Sequence, residues 1–437
     1  MRSVARALGV AALIPFGMVA SPSGAWANGR FPQAQTVVLG PGARDDLVVL
    51  RATFGLAASD DGGRRFRFLC EDFFEYPDGY DPPIWVGRDG TLLVGLGDGL
   101  VATRDWCTRS VRAELTGYEV SDLAGDARGA VLVASLVSHD ARPVSRVARS
   151  DDGGATWHVP SEGLAGQRIT TVELAPSNPL RVYASAVAEP DGQPGLFRSD
   201  DGGVTLRRTL WSADNTVGVF VSAVDPARPE RVYLRALTAH GESVLYESDD
   251  GGDTARERLR TAGPMRGFAL SDDGRSLFVG TPDPREGLQR SLDGGPFQRV
   301  SERPVECLRF HAGALWVCQS FTPGAVMLAR SVDGGEHFED RLGYADLEAP
   351  PRCAPGSIMQ TLCPMRYSQV QRVLGAGQRD AGGPDASLDA GVSPPQARPS
   401  CGCSTVGHRK NGGWALAAML MVVLGWRRCA GGTGRRC

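Results

Sequence analysis

The chain has 437 residues, 47 Lys and Arg against 50 Asp and Glu, and a formal net charge of −3. That length suits one large domain with appendages, and the near balance of charge excludes an electrostatic pull toward nucleic acid. Lys410 is the only lysine, and ten cysteines fit an oxidising compartment, where disulfides persist.

At the N-terminus, Arg2 and Arg6 precede an apolar run over residues 7–20, and Ala25-Trp26-Ala27 offers a small-x-small cleavage site. The run is too short to span a bilayer comfortably. Residues 1–27 therefore read as an export signal cut after Ala27 by signal peptidase.

Beyond it, one short pattern returns along most of the chain. Ser59-Asp60-Asp61-Gly62-Gly63 is the first copy, and Ser150-Asp151-Asp152-Gly153-Gly154-Ala155-Thr156-Trp157 is the fullest. Further copies carry Ser199, Asp201 and Gly203; Ser248, Asp250 and Gly252; Ser291, Asp293 and Gly295; and Ser331, Asp333 and Gly335. The first two starts lie 91 residues apart, about twice the other spacings of 40 to 49, which points to a hidden copy. Thr103-Arg104-Asp105-Trp106 stands at the right place without the glycines, and admitting it makes seven units.

The pattern has a physical reading. Glycine after Asp supplies the positive φ that tight turns demand. The Ser and Asp side chains can bond nearby backbone N–H groups. The aromatic that follows (Phe66, Trp157, Phe338) would begin the next strand and point inward. Each copy is thus expected to be a corner between two strands, with a structural role. A calcium loop would need Asp-x-Asp-x-Asp-Gly and a distal Glu, which are missing, so no metal is expected.

Strands can be traced within the units. Unit four shows runs at 170–174, 181–186, 195–198 and 206–210, with turn residues between them, and units five and six repeat the plan. Four strands in about 45 residues is the grammar of a propeller blade. The expected fold is all-β: a β-propeller of four-stranded blades over residues 28–372, seven-bladed, or six-bladed if unit two forms no blade. Closing the ring removes exposed sheet edges.

The motif Ser-x-Asp-x-Gly-x-Thr-Trp resembles the Asp-box, or BNR repeat, of sialidases, sortilin-type receptors and photosystem-assembly propellers. The likeness is fullest from Ser150 to Trp157, whereas Leu206, Ala255 and Gln298 replace the aromatic in other copies. The resemblance implies a structural corner between the third and fourth strands of a blade, one that does not itself mark an active site.

Six cysteines of this region are disulfide candidates, with 15 ways to pair. Cys307 and Cys318 flank a hairpin centred on Ala312-Gly313 and lie opposite each other; a two-residue turn would put them on a hydrogen-bonded pair, wider than a disulfide prefers, and a looser turn would suit a bridge better. Proximity along the chain suggests Cys353 with Cys363 and Cys70 with Cys107. None stands at zinc-site spacing.

Residues 373–400, rich in Gly, Ala, Asp, Pro and Ser, read as a flexible linker. Cys401-Gly402-Cys403 follows, then a wholly apolar run over 414–426 and Arg427-Arg428. Thirteen residues of helix reach about 20 Å, short of the roughly 30 Å of a bilayer core. This order resembles the myxobacterial C-terminal sorting signal, MYXO-CTERM. The resemblance implies removal of the helix by a sortase-like membrane protease, and attachment at the outer membrane or cell surface through Cys401 and Cys403. The nine residues after the Arg pair depart from that pattern.

No catalytic motif or cofactor-binding motif stands out. His158 and His337 fall in or beside the corners and read as corner residues. A sialidase-like glycoside hydrolase is the enzymatic alternative that the Asp-box resemblance implies, but that family's early Arg-Ile-Pro is absent, Arg30-Phe31-Pro32 being the nearest text. The favoured expectation is an exported binding module for a protein or glycan; a structural component of the cell envelope is the third. Residues 71–83 and 188–194 are candidate recognition loops.

Overall fold

The structure, a computed structural model, describes residues 32–374 apart from 210, 213–214 and 322–325. The expected export signal with Ala27, the expected linker from 375 on, and the tail with Cys401 and Cys403 lie outside the described residues. The described chain forms seven antiparallel four-stranded sheets, each made of four strands consecutive in sequence. The first strands of the blades are Ala34–Leu39, Ile84–Val86, Tyr118–Gly125, Gln167–Leu174, Thr216–Val224, Gly267–Leu270 and Cys307–His311. Each packs beside the first strand of the next blade, and the seventh returns to the first, so they line the axis of a ring. The molecule is a seven-bladed β-propeller.

The hidden repeat forms a full blade. Ile84–Val86, Leu92–Leu96, Gly99–Thr103 and Ser110–Val111 are its four strands, and Thr103 to Trp106 turns the corner between the last two. The second strands read as nearly unbroken apolar runs, such as Leu132–Ser138, because both of their faces are covered by neighbouring blades. Fourth strands such as Arg207–Arg208 are short and exposed. The core consequently lies in layers between blades. Leu93, Leu123, Leu132 and Trp157 form one layer, and Tyr183, Val224 and Leu234 another.

Among the described residues, no strand is exchanged between the first and last blades. Instead the two ends of the ring are laced together. Gln33 bridges to Ser320, and the Phe321 N–H donates to the Pro32 carbonyl at 3.1 Å. The buried Tyr344 hydroxyl accepts from the Ala34 N–H at 3.1 Å and donates to the Gln319 carbonyl at 2.6 Å. The chain then continues as a strap over the outer edge of blade one. The Glu348 N–H donates to the Phe66 carbonyl and the Phe68 N–H to the Glu348 carbonyl, which covers an otherwise bare strand edge. Two helices, Ile358–Thr361 and Cys363–Val373, complete the strap.

Disulfides buckle it. Cys70 is bonded to Cys363 and Cys107 to Cys353, across sequence separations of 293 and 246. This corrects the pairing expected from proximity, in which the same four cysteines had exchanged partners. In a closed ring the segment leaving the last blade lies over the first, so distance along the chain does not measure distance in space. The third disulfide joins Cys307 to Cys318, directly opposite in their hairpin with Cα atoms 4.9 Å apart. Its turn does have two residues, Ala312 and Gly313, at φ of 48° and 74°. The bridge thus forms across a two-residue turn, without the looser one that would have suited it better.

Candidate functional site

The repeat corners all sit on one face of the ring, beside the turns that join first and second strands: the Gly62 N–H donates to the Asp46 carbonyl and the Gly153 N–H to the Ala130 carbonyl. In the fullest copy the buried Ser150 hydroxyl accepts the Gly154 N–H at 2.8 Å and donates to Asp152 Oδ1 at 2.8 Å. Asp152 Oδ1 accepts the N–H groups of Ala155 and Thr156, and Oδ2 accepts the Thr156 hydroxyl at 2.6 Å. Burial alone would raise the carboxyl's pKa, but the bonds from Thr156, Ser150 and Ala155 outweigh it and hold it at about 2. Ser59 with Asp61 and Gly63, Ser199 with Asp201 and Gly203, Ser248 with Asp250 and Gly252, and Ser331 with Asp333 and Gly335 repeat the wiring. At Asp333 the ring of His337 stands where a Thr hydroxyl bonds elsewhere, at 2.7 Å. His158 exchanges backbone bonds with Arg149. Trp157 is buried in the layer between blades two and three.

Two corners depart from the plan. In blade two the wiring is one residue shorter: Thr103 Oγ1 accepts the Trp106 N–H, and Asp105 accepts the N–H groups of Cys107 and Thr108. Trp106 takes φ of 58°, where the other copies have glycine. In blade six Asp293 itself takes φ of 49° and turns outward to Arg275, with bonds of 2.6 and 2.9 Å, while Ser291 donates to the Gly295 carbonyl. Sequence likeness at Ser291, Asp293 and Gly295 thus hides a different turn.

Arginines, to which the sequence assigned no role, staple blade to blade through these corners. Arg112 donates to the Gly154 carbonyl at 2.6 Å, Arg198 to that of Gly251 at 3.2 Å, Arg258 to that of Gly294 at 3.0 Å and Arg290 to that of Gly334 at 3.1 Å. Each comes from the blade preceding the corner it holds. Their sequence signal is faint: Arg198 and Arg290 stand immediately before the corner serine.

The expected recognition loop at 71–83 is largely core. Glu71–Phe74 is a helical turn, and Phe73, Phe74 and Tyr76 are buried in the cluster that also holds Met359, Cys363 and Val370 of the strap. Those buried aromatics seat the strap, while Glu75, Pro77, Asp78 and Gly79 are exposed. In the loop at 188–194, Asp191, Gly192 and Gln193 remain exposed.

Two places gather polar groups. The first is the axial channel, where half-buried Asp122 and Glu173 project from neighbouring first strands. Asp122 Oδ2 accepts the Val172 N–H of the next blade at 2.9 Å, as the Thr171 hydroxyl accepts the Val221 N–H one blade further on. Enclosure by protein pushes Asp122 up to about 7, against the backbone bonds and Arg51. It pushes Glu173 up to about 8, reinforced by Asp122 and opposed by Arg309. Arg309, on the other side of the ring, lies over the Trp85 ring at 5.1 Å.

The second place is a cavity of about 630 Å³ on the corner face, between the corners of blades one and two and the strap. Arg44, Arg67, Arg104 and Arg352 line it together with Asp60, Asp105 and Glu348. Arg67 stands 3.6 Å from Asp60, and Arg104 stands 3.6 Å from Asp89 behind the wall. Buried Leu47 and Trp106, with Pro350 and Pro351, supply the apolar part of the lining. Among the described residues no group of three His, Cys, Asp or Glu side chains is placed to hold a metal ion.

No known protein family and no curated protein matches the sequence. Among solved structures, the ring is similar to a GH74 xyloglucanase from Xanthomonas campestris at 15% identity and a TM-score of 0.34, covering 73% of this chain and 65% of that one. It is similar to the hydrazine synthase of Kuenenia stuttgartiensis at 11% identity and a TM-score of 0.49, covering 73% and 99%. An oligogalacturonate lyase in complex with manganese shares 13% identity at a TM-score of 0.44, over 62% and 78%. The chain thus spans slightly less than two thirds of the xyloglucanase. Likeness at these levels speaks for the propeller fold alone.

Proposed function

We propose that this propeller is exported, retained at the cell surface through its C-terminal tail, and acts there as a non-catalytic binding module for a protein or glycan. The observation that carries the reading is the seam: two long-range disulfides brace a strap across the ring and leave a rigid, open cavity beside it. Disulfides of this kind suit an oxidising compartment. The Asp-box resemblance of the corners and the MYXO-CTERM resemblance of residues 401–437 support the same destination. Intact-mass measurement of the protein from the cell envelope tests it. A mature chain beginning near Asn28 and ending near Cys401 and Cys403 is expected. A mass that still includes residues 414–437 would overturn the processing step.

The channel carboxyls are where a second reading, that of a glycoside hydrolase, has to be weighed. Acid–base hydrolysis needs one carboxyl protonated and its partner ionised, set by environments that drive their pKa values apart. Asp122 and Glu173 are pushed the same way, and Asp122 is occupied as an interblade acceptor. Their arrangement therefore supports a packing role over catalysis.

A further inference from the structure

The cavity at the seam is of a size that binding sites share, the usual range being roughly 300–1,000 Å³. Its charges are mixed. Arg44, Arg67, Arg104 and Arg352 are offset by Asp60, Asp105 and Glu348 in the lining, and by Asp46 and Asp89 directly behind them. An anion entering would meet carboxylates, and a cation would meet guanidinium groups, so neither sign is selected.

The pairings in the wall are loose. At 3.6 Å, Arg67 with Asp60 and Arg104 with Asp89 are ion pairs too long to be hydrogen bonds. At the Arg67–Asp60 pair, unused donors on the arginine stand beside unused acceptors on the carboxylate, and Arg104 adds further donors to the wall. A group that donates and accepts at once satisfies both, and an aliphatic hydroxyl does so. That pair, with the donors of Arg104 beside it, calls for more than one hydroxyl on one ligand. The floor of Leu47 and Trp106 and the side wall of Pro350 and Pro351 give an apolar surface for carbon-bound hydrogens. The Cys107–Cys353 disulfide fixes the rim, which lowers the ordering cost of binding.

We infer that the seam cavity is a binding site for an uncharged oligosaccharide, held by the Arg67–Asp60 pair and by Arg104 against the Trp106 and Pro350–Pro351 surface. This rests on the binding-module reading and deepens it by naming the site and the ligand class. The surface pairs are exposed, so substitutions there leave the fold intact, and unchanged thermal unfolding checks that.

Isothermal titration calorimetry on the oxidised protein tests the inference, with neutral gluco-, xylo- and manno-configured hexasaccharides, a hexagalacturonate and an acidic peptide as probes. At least one neutral hexasaccharide should bind, with an affinity almost independent of salt, since no net charge is neutralised. Arg104→Ala and Asp60→Asn should each weaken it about tenfold, the scale of a lost charge-assisted bond. Arg64→Ala, in the neighbouring cavity beside blade seven, should leave it unchanged. Binding that ignores Arg104→Ala and Asp60→Asn would overturn the site while leaving the module reading standing. Binding of hexagalacturonate alone, falling steeply with salt, would overturn the uncharged class. Binding of the peptide alone would overturn the saccharide inference and keep a protein-binding module, and binding of none of the probes would overturn the inference outright.

Discussion

The arc of blades two to six and the seam between blades seven, one and two keep one ring closed by different means. Along the arc, three of the four joins share a local device: an arginine of one blade donates to a corner carbonyl of the next, as Arg112 does at Gly154, Arg198 at Gly251 and Arg258 at Gly294. Asp122 and Thr171 add a bond between neighbouring first strands. At the seam the two chain ends meet and no connecting peptide holds blade seven to blade one. There the protein uses a buried tyrosine, a strap and covalent bonds. A join between consecutive blades begins with its partners already tethered, whereas the seam must overcome the loop-closure entropy of nearly the whole ring.

The largest effect should come from breaking the seam. Replacing Cys70 and Cys363 by Ser, or Cys107 and Cys353, is expected to cost about 2–5 kcal/mol each, because the loops they close are long. Replacing Cys307 and Cys318, only 11 residues apart, should cost less. Calorimetric unfolding of the three double variants checks the order, and equal losses would mean that loop closure is not what these bonds supply.

The corners should show the next effect, and unequally. Ser150→Ala leaves the buried Gly154 N–H without its acceptor and should cost roughly 1–3 kcal/mol. Asp152 is itself exposed, so Asp152→Ala should cost less than the serine change. Asp293→Ala, in the divergent corner of blade six, should stay within about 0.5 kcal/mol. Denaturant midpoints of the three variants rank them.

The acidity of the same corners gives a third test. Asp61, Asp152 and Asp250 titrate at about 2 in the folded ring and near 3.9 when unfolded. The unfolded chain therefore binds protons first as pH falls. Their stabilisation is complete above about pH 4 and is lost as pH drops through about 2. Unfolding midpoints measured from pH 5 to pH 2 should fall less steeply in Asp152→Asn than in the parent, and parallel curves would remove the carboxylate from the account.

The channel should give the smallest change at neutral pH, with the opposite sign. Glu173, pushed up to about 8, favours the fold while protonated, and Asp122, up to about 7, does the same. Their contribution is full below the unfolded values near pH 4 and is lost as pH rises through 7 to 8. The charge of Arg51 opposes the shift of Asp122 and that of Arg309 opposes the shift of Glu173, and these set how far the loss runs. Glu173→Gln should therefore lose less thermal stability than the parent between pH 6 and pH 9, by about 2–4 °C, and identical slopes would place the titration elsewhere.

Much of the fold was legible in the residues. The Ser-x-Asp-x-Gly pattern is local chemistry, with the partner N–H groups three and four residues away, so its corners, their spacing and the seven blades follow from reading along the chain. Even the worn copy at Thr103 keeps the hydroxyl and the carboxylate that its shorter turn needs. The same logic failed where resemblance replaced contact, since Asp293 has the right letters and a different turn.

What only the tertiary structure decided is everything that joins residues far apart in sequence. The strap, the partners of Cys70 and Cys107, the burial of the aromatics at 71–83 and the arginine staples all depend on the ring bringing its ends and its neighbouring blades together. The cavity at the seam belongs to this class: Arg67, Arg104 and Arg352 lie in three separate segments and share a wall only once the strap is laid down. Short-range hydrogen bonds are written in the order of the residues, whereas contacts across a closed ring are set by closure itself, which no stretch of the sequence carries alone.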